Sequence, residues 1–364
     1  MKKIVISLLA LTFFTLPQAQ AETPVVRITD QPHMNFDGTF RNNELATLIL
    51  PDQKLGRLVF NTSALKKTWV IDPELIDEIA TMAGGYTING KKDDAGQLAA
   101  QKWLAQLKYA SANNPVIALP YGNPDQLLAK RLAPSELRFY STYGKERLEA
   151  QLGRIVTTEN GWGKGVSRLS YQFRAAYSHH RQQITGLSTL SGAQEIIDLR
   201  ARLAIVLNPA LNKEDRAYFS YASEIATQKA LKKLRVVTGR YQLTSTTSKV
   251  PVTLVNEFDT ATILNLSLIP MNSRMQIQNV NNIKLAAKSR LQLNLEVTAV
   301  APGSTLVLAQ FMNSKGNLVG EKSKLNLTAT IIDSRVAWFT TGAAILLFIA
   351  AVAQSVRRVR KARK

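Results

Sequence analysis

From about Val236 to Ile332 apolar and polar positions alternate. GRYQLTS (239–245), KVPVTLVNE (249–257), TILNLSLIP (262–270), RLQLNLEVTA (290–299), STLVLAQFM (304–312) and KLNLTATII (324–332) each read as a strand. Leu264, Leu266 and Leu268 share one face, as do Leu291, Leu293, Leu295 and Val297, and Leu325, Leu327, Ala329 and Ile331. Period two, broken by Asn, Ser, Gly and Pro turns, predicts an antiparallel all-β sandwich. Upstream the period changes. RLVFN (57–61), TWVID (68–72), PVIALP (115–120) and GRIVTTE (153–159) read as strands, with helices at 73–83, 95–112 and 125–132 between them. In AGQLAAQKWLAQLKYA, Leu98, Trp103, Leu104 and Leu107 fall on one helical face. Strand–helix–strand alternation predicts a parallel α/β layer. Beyond Gly165 the texture is all helical. It ends in one long helix capped by Asn212, in ALNKEDRAYFSYASEIATQKALKKLRVV.

The two ends read differently from the body. MKKIVISLLALTFFTLPQAQAETP opens with Lys2 and Lys3, continues with an apolar run from Ile4 to Leu16, and carries the small-x-small triplet Ala19-Gln20-Ala21. That is the pattern of a secretory signal peptide. Near the other end, Val336 to Val356 contains no charge and is long enough to cross a hydrocarbon core of ~30 Å. Trp338 and Phe339 stand at its start as interfacial aromatics. Arg357, Arg358, Arg360, Lys361, Arg363 and Lys364 follow at once, a cluster that holds its side of a span in the cytoplasm and favours anionic headgroups. The expected organisation is a signal peptide (1–21), an α/β domain (22–165), a helical region completing the first body (166–235), a β-sandwich (236–332), a transmembrane helix (336–356) and a basic cytoplasmic tail (357–364). The expected location is the plasma membrane, with the N-terminal body extracellular.

Charge narrows the partners. The formal net charge is +20. Without the two signal lysines and the six tail cations, the 46 basic residues fall to 38 against 26 acids, so the exported body carries about +12. In that compartment the polyanions are lipid headgroups, acidic wall polymers and lipid-linked precursors. Nucleic acid is not an expected partner. The chain has no cysteine, which excludes disulfide staples, thiol catalysis and thiolate metal sites. Each predicted body is large enough to stand on a hydrophobic core.

Candidate chemistry centres on two acids placed just after predicted parallel strands. Asp72 follows TWVI and Asp125 follows VIALPYGNP. Both would reach the ligand-binding edge of an α/β layer, where paired carboxylates serve glycosidic cleavage as acid and base. Both also fit helix N-caps: Asp72-Pro73-Glu74 sets an acid at the cap, Pro at the first helical position and an acid in the first turn. Capping explains the two residues without any chemistry. Tyr121, in PYGNPD, and Trp162, in the glycine-rich TTENGWGKGVSRL, are the candidate ligand-binding rings. His179 and His180 adjoin on a predicted helix and diverge by about 100°, so they do not chelate. No metal site, phosphate loop, dinucleotide motif or nucleophile-elbow serine is present in the sequence, and no cofactor is expected.

Three blocks carry a resemblance: TWVIDPELIDEIATMAGGY, AAQKWLAQLKYASANNPVIALPYGNPDQLLAKRL, and VTGRYQLTSTTSKVPVTLVNEFDTATILNLSL, followed by the apolar segment and basic tail. Together they resemble an uncharacterised family of actinobacterial envelope proteins. The resemblance implies a signal peptide, a body like glycoside-hydrolase or deacetylase barrels, an immunoglobulin-like domain, one span, and a gene beside that of the lipid II flippase of peptidoglycan synthesis. Here the chain is helical after Trp162, where barrel strands would continue. The implied fold is therefore α/β, a reduced or incomplete barrel-like layer with extra helices, then an all-β immunoglobulin-like sandwich and one transmembrane helix. Two functions are compatible with this. One is a non-catalytic binding or scaffold component of cell-wall assembly, engaging a wall polymer, a lipid-linked precursor or a membrane protein of peptidoglycan synthesis. The alternative is a carbohydrate-active enzyme using Asp72 and Asp125.

Overall fold

A computed structural model describes residues 23–61, 66–158, 169–330 and 334–362. The signal-peptide segment and Trp162 lie outside the described residues.

The first layer is a parallel sheet of three strands. β1 (Val25–Ile28) pairs with β2 (Thr68–Ile71), and β2 pairs with β5 (Val116–Ala118). Trp69, Val70 and Ile71 are all buried, as a central parallel strand covered on both faces requires. Between β1 and β2 run two short helices, α1 (Glu44–Leu48) and α2 (Lys54–Phe60). α3 (Pro73–Gly84) leaves the end of β2. A two-residue hairpin of β3 (Thr87–Ile88) and β4 (Lys91–Lys92) leads to α4 (Asp94–Ser111), and β5 to α5 (Gln126–Leu132) and α6 (Leu137–Leu152).

Two expectations change here. RLVFN belongs to α2, not to a strand: Leu55 and Val59, four residues apart, are both fully buried, so the run follows helical spacing. In GRIVTTE only Thr157 reaches the layer, through a single parallel bridge to Ile117. The sheet is thus an open three-stranded layer.

Gly144 fixes how closely α6 lies on this layer. A β-carbon there would stand 2.7 Å from the Leu119 carbonyl oxygen and 2.9 Å from the Tyr121 amide. That approach carries Tyr143 and Arg147 towards α3.

α7 (Tyr171–Ser188), α8 (Gln194–Arg202), a 3-10 turn (Leu203–Leu207) and α9 (Lys213–Lys233) follow. Asn212 caps α9, its side-chain oxygen accepting from the Asp215 amide at 2.9 Å. Fully buried Glu136 ties these helices together: it accepts from Arg200 Nε at 2.6 Å and lies 3.6 Å from Arg181.

The C-terminal region is β-rich. Its strands are β6 (Leu234–Val236), β7 (Gly239–Leu243), β8 (Thr247–Asn256), β9 (Thr262–Pro270), β10 (Met275–Ile277), β11 (Val280–Leu285), β12 (Ser289–Ala299), β13 (Gly303–Met312) and β14 (Leu318–Ala329). They form a four-stranded sheet, β10-β12-β8-β6, and a five-stranded sheet, β11-β9-β13-β14-β7. The inward residues of both sheets share one core with α7, α9 and the Leu203–Leu207 turn. The helical body packs on one end of the sheets: Thr262 Oγ1 donates to the Leu190 carbonyl, and Asn313 Nδ2 to Thr189 Oγ1 at 3.0 Å. The chain leaves from the opposite end and enters α10 (Ser334–Ala362), which contains an apolar stretch, Thr341–Arg358, long enough to cross a membrane.

Candidate functional site

The residue after β2 is Asp72, and its backbone still follows the sheet, its amide donating to the Ile28 carbonyl at 3.0 Å. Pro73 then fixes the first helical φ, and the Asp72 carboxylate turns back to accept the Glu74 amide at 3.0 Å. The first two turns of α3 add Glu74, Asp77 and Glu78. All four acids are buried, Asp72 and Glu78 completely. Carboxylates near a helix N-terminus are stabilised by the dipole, but four of them out of water cannot all remain ionised.

Burial, and then the neighbouring Glu74 carboxylate, push Asp72 well above the usual carboxylate range. The amides of Glu74 and Gly122 oppose that rise, the second from outside hydrogen-bond geometry, which leaves Asp72 Oδ2 without a hydrogen-bond partner. Burial raises both Glu74 and Glu78, one turn apart, and the charge of Glu74 then drives Glu78 well above its ordinary value. Glu78 also accepts two backbone amides of the loop after β1: Met34 at 2.7 Å and His33 at 2.9 Å. Glu74 faces Arg202 of α8, with Nη2 at 4.0 Å. Arg202 in turn donates to the carbonyls of Met34 (2.9 Å) and Asn35 (2.8 Å). Asp77 accepts from Arg147 Nε at 2.8 Å, Gln151 Nε2 at 3.1 Å and the Tyr121 hydroxyl at 3.2 Å. At the loop itself, desolvation alone would raise Asp30, yet the His33 ring and the Lys54 ammonium, 2.8 Å away, outweigh it and hold Asp30 low.

A cleft of about 620 Å3 opens beside this cluster. Its walls are the 34–38 loop, Asp77 and Thr81 of α3, Tyr143 and Arg147 of α6, α8 from Glu195 to Arg202, and the Tyr218–Lys233 face of α9, with Tyr121 at the base. Tyr121 and Tyr143 meet edge to face at 4.9 Å, and the Tyr143 hydroxyl donates to Asp198 at 2.6 Å. Burial, and then those acids, raise both phenols above the ordinary tyrosine value, so they act as neutral donors. The lining carries Asp37, Asp77, Glu195 and Asp198 against Arg147, Arg202, Lys229 and Lys233. Its formal charge is therefore zero.

The candidate residues of the sequence separate in space and task. Asp72 caps α3 and Asp125 caps α5, accepting the Leu128 amide at 2.9 Å; neither lines the cleft. Tyr121 does. His180 is buried against Ser223 Oγ at 3.3 Å, and burial lowers its pKa. Among the described residues, no group of three or more His, Asp and Glu side chains could hold a metal ion. Sequence reasoning missed Glu74, Asp77, Glu78, Arg147, Asp198 and Arg202. The signal for the first three was present: D-P-E-L-I-D-E places acids on the face of α3 opposite Leu75, Ile76 and Ile79, and a helix acidic on a buried face must find partners elsewhere.

Several solved structures align with short stretches of this chain. A C. elegans MSP family member, WR4, aligns at 17% identity over 27% of this chain and 98% of its own, with a TM-score of 0.21. Native E. coli alpha-2-macroglobulin aligns at 15% identity over 27% of this chain and 6% of its own, TM-score 0.22. The PapD-like domain 7 of human CEP192 aligns at 10% identity over 28% and 87% of the two chains, TM-score 0.21. No curated protein matches the chain. Residues 141–364, from α6 through the sheets to the end of the apolar helix and basic tail, match one family model, and the chain belongs to that family, the family of unknown function DUF6049.

Proposed function

We propose that the chain is an exported, membrane-anchored cell-envelope protein that binds rather than cleaves. It is a scaffold or binding component of peptidoglycan assembly. Its body stands outside the plasma membrane, α10 crosses it, and the basic tail lies in the cytoplasm. One observation carries the binding reading: each acid of α3 already has a structural task. Asp72 caps the helix, Glu78 holds the 33–34 loop, Glu74 faces Arg202, and Asp77 holds α6 through Arg147 and Gln151. The cleft supports a ligand of matching character. A neutral lining with three phenols and mixed charges suits the hydroxyls, amides and zwitterionic peptide of a muropeptide better than a pyrophosphate. The two facing sheets suit an immunoglobulin-like spacer between cleft and membrane. The resemblance to actinobacterial envelope proteins encoded beside the lipid II flippase supports a membrane partner from peptidoglycan synthesis.

A carbohydrate-active enzyme using Asp72 and Asp125 is the second reading. It is favoured by the raised Asp72 carboxyl, since a general acid needs a carboxyl held above the usual carboxylate range.

The test is the thermal midpoint of the detergent-solubilised full chain with muropeptides or lipid II headgroup analogues. Muropeptides are expected to raise it. Ile225→Glu/Lys229→Glu, on the exposed α9 wall of the cleft, is expected to abolish that rise without lowering the ligand-free midpoint. No rise with any muropeptide would refute the binding reading.

A further inference from the structure

The end of the sheets from which the chain departs has a composition unlike the rest of the β-rich region. β14 ends at Ala329, which pairs with Gly303 at the start of β13 and with Leu243 at the end of β7. The turns 244–246, 271–274 and 300–302 therefore all lie at this end, beside the exit of the chain. Their tips expose apolar side chains: Met271 is 59% exposed and Val300 60%. Arg274 stands exposed between them, and no carboxylate pairs with it among the described residues. None of these turns contains an acid. The nearest in sequence is Glu296 on β12, four positions before Val300.

The tips are held firmly. The amides of Val300 and Ala301 both donate to the Arg274 carbonyl, at 2.8 and 3.2 Å. Asn272 donates to the Ser304 carbonyl at 3.2 Å and accepts from Thr305 Oγ1 at 2.7 Å. The Arg274 guanidinium lies where a β-carbon at Gly303 would be, 2.3 Å from its Nη1, and Gly303 has φ +123°. Met271, Arg274 and Val300 are thus presented together by one braced pair of turns. From Thr330 to Ser334 is four residue steps, at most about 14 Å of chain. With α10 in a bilayer, this end is tethered within about 14 Å of the first residue of α10. Trp338, 81% exposed on the second turn of α10, marks the same level.

We propose that this end of the sheets is a lipid-contacting surface. Met271 and Val300 enter the interfacial layer, and Arg274 meets the phosphate of an anionic lipid. This rests on α10 spanning the membrane. It adds that the sheets stand directly on the bilayer, which sets the height and tilt of the cleft.

The absence of native cysteine makes single labelling sites clean. The full chain would be reconstituted into phosphatidylglycerol–phosphatidylcholine vesicles carrying nitroxide lipids. An environment-sensitive fluorophore would be placed at Met271→Cys, Val300→Cys, Ser273→Cys, Gly342→Cys in α10, or Lys315→Cys in the turn at the opposite end of the sheets. Quenching is expected at 342, 271, 300 and 273, and not at 315. The 273 signal is expected to lose its quenching when Met271→Asp and Val300→Asp are added. Quenching at 342 alone would overturn the lipid contact and leave the span standing. A blue-shifted but unquenched signal at 271 and 300 would overturn it in favour of a protein partner or a second copy. An unquenched 342 would overturn both the span and the contact.

Discussion

The raised carboxyls of Glu74 and Glu78 predict that the pair shares one proton, and replacing Glu78 by Gln tests this. The Glu78 side chain accepts the His33 and Met34 amides through Oε1, and His33 also donates to Oε2 at 3.1 Å. Glutamine keeps the Oε1 acceptor for both amides and offers an Nε2–H in place of the carboxyl proton, losing only the longer His33 contact to Oε2. Removing the pattern with Ala leaves two buried amides without acceptors, a loss of about 2–6 kcal/mol at ~1–3 kcal/mol for each unsatisfied group. Gln is expected to lose almost nothing at pH 5. The folded-state pKa of Glu78 lies above its unfolded value, so the folded chain keeps a proton that the unfolded chain releases. Its contribution to stability is complete below the unfolded value and is lost as pH rises towards the folded one, at up to about 1.4 kcal/mol per pH unit. Between pH 5 and 7 the wild type is expected to lose stability that Glu78→Gln keeps, read as a thermal midpoint that falls further in the wild type as pH rises. The assay is thermal unfolding of the full chain in detergent across that range. Parallel pH profiles for the two proteins, or Gln as unstable as Ala at pH 5, would refute the shared proton.

Three further outcomes follow from contacts already described. Gly144→Ala is expected to cost about 1–3 kcal/mol by forcing α6 off the Leu119–Tyr121 backbone, read as a lower midpoint. Asp72→Asn keeps the cap to the Glu74 amide and is expected to change stability by less than about 0.5 kcal/mol at pH 5, whereas Asp125→Ala, which removes the cap of α5, costs about 1–2 kcal/mol. Leu347→Arg, in the middle of the apolar stretch, adds about 3 kcal/mol to membrane insertion and is expected to increase the fraction released by alkaline extraction.

The β-rich region was legible because its alternation is long: each of the six predicted runs holds a strand. β6, β10 and β11 were missed; two of them span only three residues, and β11 breaks register between Val280 and Ile283. Upstream, long helices with clear caps were legible at 73–83 and 95–112. Short runs were not: RLVFN fits either period, and β1 has only one buried residue in four. The site was legible in part. Asp72 and Asp125 stand out because each follows a strand, the position that also makes a helix cap. Asp77 and Arg202 lie 125 positions apart, and nothing local marks them as walls of one cleft. Of the candidate residues that the structure describes, Tyr121 lines that cleft while Asp72 and Asp125 do not.

The central claim is that the acids beside the cleft hold the fold while the cleft binds a wall fragment unchanged. It is tested most directly by incubating wild type and Asp72→Asn/Asp125→Asn with muropeptides, following the thermal midpoint and the mass of the ligand together. Both proteins are expected to be stabilised to the same degree, with every muropeptide recovered intact. Cleavage by the wild type that disappears in a still-folded double variant would contradict the account and make Asp72 and Asp125 catalytic.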